Sequence, residues 1–367
     1  MSVQAIALPF KGILSGDRAF HSHTAYQSGV RQELTHPTHL PVSYTFDTES
    51  KIVRVVKRVF SIIFFPILIY QALHALLGKI FFLPASTPSV MGYDPNHAAK
   101  CRFAASVTGD WKYKRFTVAF DGHKIDALVM GKTATFGNGR WVLAANGNGG
   151  FYEDKFRERH DFKDLLTALN GNAVVFNYVG VGASPGFPNR DSMVKAYRAM
   201  LNLLEDKERG IGAREIIGWG HSIGGGVQGA ALSGHTLKEG IKYAFINSRS
   251  FTSLSKTARG IIKIPGLGAL VRLIGWDFDA LSSSKKLKAP EIILQTARVE
   301  AWEELTDSKK IVHDEVIPVS ASLAKALLDD KKMSRESKVI IGIPETHNES
   351  LQNIPFLAKK VEEALKL

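Results

Sequence analysis

The run Glu215-Ile216-Ile217-Gly218-Trp219-Gly220-His221-Ser222-Ile223-Gly224-Gly225-Gly226 is where a hydroxyl could be made to react. It reads as a short apolar strand, then Gly-x-Ser-x-Gly, then the start of a helix. Gly220 and Gly224 permit a strand-to-helix turn too tight for larger side chains. Such a turn lifts Ser222 clear of the backbone. It also aims the first N–H groups of the helix at whatever the hydroxyl attacks. The pattern is common by chance, and alone it reads equally well as a Gly-rich corner with an ordinary serine.

A serine hydroxyl is a poor nucleophile at neutral pH. It needs a base to take its proton and an acid to hold the base in one tautomer. Three histidines follow Ser222: His235, His313 and His347. His235 falls where the elbow helix should end, too far along to turn back. His347 sits in the loop Pro344-Glu345-Thr346-His347-Asn348, after the last predicted strand. Asp314 opens Asp314-Glu315-Val316-Ile317-Pro318, after the strand before that. The order Ser222, Asp314, His347 is a known chain order for such a triad. The other usual place for the acid, here Asn247 to Ser253, has no carboxylate until Asp277, which favours Asp314. Glu315 and Glu300 remain alternatives. Taken singly, His347 reads as a surface-loop residue and Asp314 as a helix-entry cap; taken with the elbow, they point to acyl transfer.

Acyl transfer also needs donors for a developing oxyanion. Ala145-Asn146-Gly147-Asn148-Gly149-Gly150 offers backbone N–H groups with little side chain in the way. The Asn148 N–H, paired with that of Ile223, is the expected hole. The loop lacks the Gly-Lys-Ser/Thr ending of a phosphate loop and the dinucleotide-binding spacing, so no cofactor is expected. His21, His23, His36 and His39 have no acidic or cysteine partner at useful spacing, so no metal site is expected there. Cys101 is the only cysteine, which leaves no disulfide frame and suggests no thiolate metal site.

The elements that must position these residues follow one another regularly. Arg115–Phe120 and Lys124–Met130 read as a hairpin around Asp121-Gly122. Strands are expected at Trp141–Ala145, Asn172–Tyr178, Ile216–Trp219, Tyr243–Ile246, Ile292–Gln295 and Lys338–Ile343. Between them lie helices near Glu153–Leu169, Arg190–Glu205 and Gly225–Leu232, with a last helix at Phe356–Leu365. A hairpin followed by repeated strand–helix units predicts a mostly parallel sheet covered on both faces. Chemistry in such sheets gathers at the carboxyl ends of the strands. Residues 255–288 form an apolar, cation-studded stretch where a lid could sit, or an ordinary packing helix. Ala297 to Val312 reads as a charged, helical insertion.

The 367 residues carry a net charge of +12 with 45% hydrophobic content, enough for one large domain and an appendage. An excess of cations suits an anionic partner. No nucleic-acid-binding module is present, so a membrane surface is the better match. Residues 1–50 read mostly as loop, with no secretory signal pattern. Within 51–90, Lys51, Arg54, Lys57 and Arg58 lead into an uncharged run from Val59 to Leu77, about the length a bilayer core demands. It reads as a spanning or hairpin anchor, an interfacial anchor, or a buried helix, with Pro66 expected to kink it.

Over roughly residues 95–367 the chain resembles the α/β-hydrolase superfamily. Asn177 to Gly186 (Asn-Tyr-Val-Gly-Val-Gly-Ala-Ser-Pro-Gly) is similar to the loop after strand four in many members. The blocks Arg190-Asp191-Ser192-Met193-Val194 and Gly220 to Gln228 resemble the chlamydial CHLPS-type hydrolase-like family, which also occurs among secreted effectors of intracellular bacteria. The resemblance implies an eight-stranded α/β-hydrolase sheet with Ser222, Asp314 and His347 as its triad. With the apolar run Val59 to Leu77 and the apolar, cation-studded lid candidate, the triad leads to the expectation of an esterase, lipase or thioesterase acting on an acyl ester or lipid-like substrate at or near a membrane. A hydrolase-shaped interaction protein with weak or vestigial catalysis is the alternative, and a peptidase a third reading. The protein partner is not indicated.

Overall fold

The computed structural model describes residues 40, 42–94, 97–104, 111–157, 160–331 and 337–367. His21, His23, His36 and His39 lie outside the described residues. The chain runs through β1 (Val42–Thr45), α1 (Lys51–Ile63), α2 (Phe65–Leu77), α3 (His97–Ala104), β2 (Trp111–Phe120), β3 (His123–Lys132) and β4 (Arg140–Ala145). Next come α4 (Asp154–Arg157), α5 (His160–Ala168), β5 (Asn172–Phe176), α6 (Arg190–Glu205), β6 (Glu215–His221), α7 (Ile223–Leu232) and β7 (Lys242–Ser248). The remainder holds α8 (Leu254–Ile262), α9 (Leu267–Leu273), α10 (Ala280–Lys286), β8 (Glu291–Thr296), β9 (Glu303–Glu304), α11 (Leu323–Asp329), β10 (Lys338–Ile343) and α12 (Ile354–Ala364). All eight expected strands are found; β1 and β9 were not expected.

The chain forms two compact units. The first holds the described residues up to Gly137, together with 148–158 and 174–212. Its frame is the antiparallel pair β2 and β3, in register from Trp111 opposite Lys132 to Phe120 opposite His123. Asp121 and Gly122 both take positive φ, 41° and 85°, the type I′ geometry that matches strand twist. Strand β1 adds in parallel to β2. The Asp121 carboxylate accepts from the Thr48 and Glu49 N–H groups and meets Lys195 at 3.1 Å. Helix α6 starts at a capping box between Asn189 and Ser192 and buries Met193, Ala196, Tyr197, Met200, Leu201 and Leu204, as their spacing predicts.

Ser50 caps α1, accepting from the Val53 N–H. The helix then breaks at Phe64, with φ −94° and ψ 79°. Pro66 therefore sits in the first turn of a new helix, where its missing N–H costs nothing, and not mid-helix as a kink. From Phe65 to Phe82 the chain is helical for 18 residues with mean hydropathy 1.5, and only 6% of it is buried. Ile63, Phe65, Leu73 and Phe81 are all more than half exposed.

The second unit comprises 138–147, 159–173 and 213–367. Five of its strands are parallel in the order β4-β6-β7-β8-β10. Every residue of β8 is buried, the continuous burial expected of a strand covered on both faces. Strand β9 pairs antiparallel with the outer edge of β10. The stretch 297–312 is thus not the helix its charge suggested. It forms β9, a short 3₁₀ turn at Ser308–Lys310 and a bridge between Ala297 and Ile311. The physical reason is burial. Leu305 and Ile311 join Ile293, Leu323, Leu327 and Ile340 in one apolar cluster, and an extended path past β10 reaches it.

Candidate active site

Ser222 leaves β6 as the N-cap of α7 with φ 55° and ψ −120°. A serine held at positive φ carries roughly 1–3 kcal/mol of strain, which the surroundings must offset. Three hydrogen bonds hold it. The Ser222 N–H donates to the Ser248 carbonyl at 3.0 Å. The Ser222 carbonyl accepts from the Gly225 N–H at 3.0 Å and from the Ser250 hydroxyl at 3.0 Å. The two glycines of the motif are sterically required. A Cβ on Gly220 would stand 2.6 Å from the Gly225 Cα, and one on Gly224 would strike the Ala145 carbonyl oxygen. The turn is the strained strand–helix elbow that the motif predicts.

Asp314 and His347 meet directly. The His347 Nδ1 lies 2.8 Å from Asp314 Oδ2, and the His347 N–H donates to the Asp314 carbonyl, also at 2.8 Å. Asp314 is fully buried and His347 is 3% exposed. The other carboxylate oxygen, Oδ1, accepts from the Val316 and Ile317 N–H groups, so the carboxylate is fixed from both sides. An acceptor on Nδ1 sets the tautomer that leaves Nε2 able to take a proton. The other candidates are placed differently. Glu300 is exposed. The Glu315 carboxylate accepts from the Thr346 hydroxyl at 3.1 Å, and His313 Nδ1 accepts from the Glu315 N–H. His235 follows the end of α7.

The ring of His221, one residue before the serine, lies 4.9 Å from the ring of His347 between centroids. A Cβ on Gly147 would stand 3.2 Å from His221 Cδ2 and 3.8 Å from Ser222 Cβ. The Gly-rich loop after β4 therefore passes the serine closely at Gly147. Asn148 falls in the first unit, where its carbonyl accepts from the Ala85 N–H. Ile223 begins α7 in the second.

Several contacts that position His347 had no signal in the sequence pattern. Arg249 is 1% exposed, sits at φ 48° directly after β7, and sends its guanidinium to the carbonyls of Thr346 and Glu349. The Trp302 indole N–H lies 3.0 Å from both Glu345 carboxylate oxygens, and Glu345 Oε1 also accepts from the Gln352 N–H. The Thr296 hydroxyl donates to the Glu345 carbonyl at 2.8 Å. The segment Asn247–Ser253, without a carboxylate, contributes this arginine to the His347 loop.

The lid candidate, 255–288, is built of α8, α9 and α10. Ser253 caps α8 and Asp279 caps α10. Asp277 is engaged by the Ser255 N–H and hydroxyl, both at 2.8 Å. Ile261, Ile264 and Leu273 are more than half exposed, which leaves an apolar outer face.

Over residues 18–366 the sequence matches the family model described as Chlamydia CHLPS protein (DUF818). The chain belongs to this family. No curated protein matches the sequence. Among solved structures, an alpha-beta hydrolase from Vibrio vulnificus is similar, with TM-score 0.56 and 15% identity over 89% of this chain and 98% of that one. An esterase from Pyrococcus furiosus is also similar, with TM-score 0.49 and 16% identity over 74% of this chain and 95% of that one. At 15% identity the likeness to the Vibrio vulnificus protein speaks for the fold alone, and the fold of this CHLPS-family chain is that of the α/β-hydrolases.

Proposed function

We propose that this CHLPS-family protein is a serine hydrolase that cleaves acyl esters or thioesters at a membrane surface. The observation that carries the reading is the buried Asp314–His347 pair, in the same unit as a serine held at a strained strand–helix elbow. In this scheme His347 Nε2 takes the Ser222 proton as Oγ attacks the acyl carbonyl. Asp314 holds the imidazole by Nδ1 and stabilises the imidazolium that forms. The Ile223 N–H, first on α7, donates to the developing oxyanion. His347 then returns the proton to the leaving alcohol or thiol. Water, deprotonated by the same imidazole, releases the acid from Ser222.

The membrane part of the proposal draws on the 18-residue apolar helix Phe65–Phe82, which is nearly all exposed. An exposed apolar surface of that extent calls for a partner or a bilayer. The basic residues of α1 precede it, a placement that suits anionic headgroups. The outward apolar residues of 255–288 suit the same environment.

A fluorophosphonate probe tests the catalytic reading on the full-length protein in detergent, because it labels only an activated serine. Labelling of the native protein, lost in Ser222→Ala and strongly slowed in His347→Ala, is the expected result. A native protein that stays unlabelled, or an S222A variant that labels as fast, would overturn it.

A further inference from the structure

In the first unit three side chains of different chemistry meet at one point. His97 and Cys101 stand one turn apart on α3, and Asp154 opens α4, 53 positions after Cys101. His97 Nε2 lies 2.9 Å from Asp154 Oδ1 and 3.5 Å from Cys101 Sγ. All three potential donor atoms fall within 4.8 Å of one another. We propose that His97, Cys101 and Asp154 bind a divalent transition metal of the Zn(II) class, at a site separate from Ser222, Asp314 and His347.

The geometry argues for a metal over a second nucleophilic site. In a thiol–imidazole–carboxylate relay the thiol and the carboxylate take opposite ring nitrogens. Here both address Nε2, so the ring cannot pass a proton from one to the other. A shared metal needs this convergence. With Zn–S near 2.3 Å and Zn–N near 2.0–2.1 Å, tetrahedral ligation puts sulfur and nitrogen about 3.5 Å apart. The observed separation already has that value. Tetrahedral N and O ligands stand about 3.3 Å apart, so His97 and Asp154 need to part by roughly 0.4 Å.

The ligands are also oriented from behind, as metal ligands usually are. Asp154 Oδ2 accepts from the Phe151 N–H at 3.0 Å, which turns Oδ1 toward His97. Tyr93 stacks on the His97 ring at 4.5 Å between centroids and 13° between planes, and the Phe151 ring lies 5.8 Å away. Cys101 is fully buried, while the side chains of His97 and Asp154 are 12% and 20% exposed. A thiolate on the inside and two ligands facing outward leave the fourth position to water. One thiolate, one neutral imidazole and one carboxylate supply two negative charges to match M²⁺. Binding releases the Cys101 thiol proton to solvent and changes no oxidation state. The ion would tie α3 to the turn that enters α4.

Cys101 is the sole cysteine, so every thiolate signal from this protein reports on this site. Titrating the full-length protein in detergent with Co(II) should give one equivalent of tetrahedral cobalt with a thiolate charge-transfer band. The band should vanish in Cys101→Ser, and His97→Gln should weaken binding at least tenfold. Zinc-edge X-ray absorption on the native protein needs no variant and is expected to show one sulfur and three lighter neighbours. A native protein that gives no charge-transfer band, or bound zinc without a sulfur neighbour, overturns the proposal. A band that survives C101S does the same. Ser222 labelling by the fluorophosphonate is expected to be unchanged in H97Q, so the two readings stand or fall separately.

Discussion

The guanidinium of Arg249, buried directly after β7, donates to the carbonyl of Thr346, the residue before His347, and to that of Glu349, two residues after it. The loop that carries the imidazole, after β10, is therefore pinned from the end of β7, two strands away in the sheet. Arg249→Met would remove the shared donor of two partly buried, charge-assisted hydrogen bonds, each worth about 1.5–3 kcal/mol. We expect kcat on a short acyl ester to fall at least tenfold, with KM nearly unchanged and Arg249→Lys recovering part of the loss. Equal kcat for R249M and the native protein would show that the loop holds its place unaided.

Asp314→Asn keeps the size of the side chain and removes its charge. An amide whose N–H faces Nδ1 favours the wrong imidazole tautomer. By analogy with other Ser-His-Asp enzymes, kcat should drop about 10⁴-fold while the fold persists. Circular dichroism and steady-state kinetics on the same preparation separate the two effects. A loss of less than tenfold would remove Asp314 from the proposed machinery.

Gly224→Ala tests the elbow's sterics apart from its chemistry. The new methyl would strike the Ala145 carbonyl oxygen and stand 2.7 Å from that of Asn146. Backbone cannot yield as a flexible side chain can, so a cost of about 1–3 kcal/mol is expected. Chemical denaturation measures it, and probe labelling at Ser222 should weaken in parallel.

Hydrogen bonds from Thr48, from the Glu49 N–H and from Lys195 outweigh the opposing effect of burial and hold the Asp121 carboxyl down at about 2. Its folded value lies below the ordinary one. The stabilisation is therefore complete above about pH 4, the ordinary aspartate range, and is lost as pH falls toward 2. Asp121→Asn tolerates the same positive φ, so it tests the charge alone. The thermal midpoint of D121N should sit several degrees below the native one at pH 7, with the gap closing below pH 3. A constant gap across that range would assign the effect to shape.

Should Phe65–Phe82 enter a bilayer, the full-length protein will float with liposomes and resist carbonate extraction. A Leu73→Arg, Leu76→Arg double variant places two charges on its exposed surface, each costing about 2.5–3.5 kcal/mol at mid-membrane. It is expected to shift toward the soluble fraction. Release of the native protein by carbonate would exclude a spanning segment.

Much of this could be read from the chain because the determinants were local. The Asp121-Gly122 turn, the apolar spacing of α6 and the two elbow glycines each express a backbone requirement that a few neighbouring residues reveal. Asp314 and His347 were legible from strand order, since both follow strands whose ends share one rim. What stayed hidden depends on pairings between distant segments. Nothing near Arg249 says that its guanidinium will serve a loop almost a hundred positions later. Cys101 read as isolated because its neighbours in space are His97, one turn before it, and Asp154, well down the chain. Charge made Ala297 to Val312 look helical, but Leu305 and Ile311 needed an extended path to reach the core. Pro66 looked like a kink until Phe64 ended the helix before it.

Strand β9 is only two residues long, and both are glutamates: Glu303 pairs with Lys310 and Glu304 with Lys360. A visiting polypeptide would find little ladder to copy at this rim and would have to displace two ion pairs to reach it. The protein thus closes this border with its own chain. Growth of the sheet from one molecule into the next is disfavoured there, and copies that meet on this side must do so through side chains.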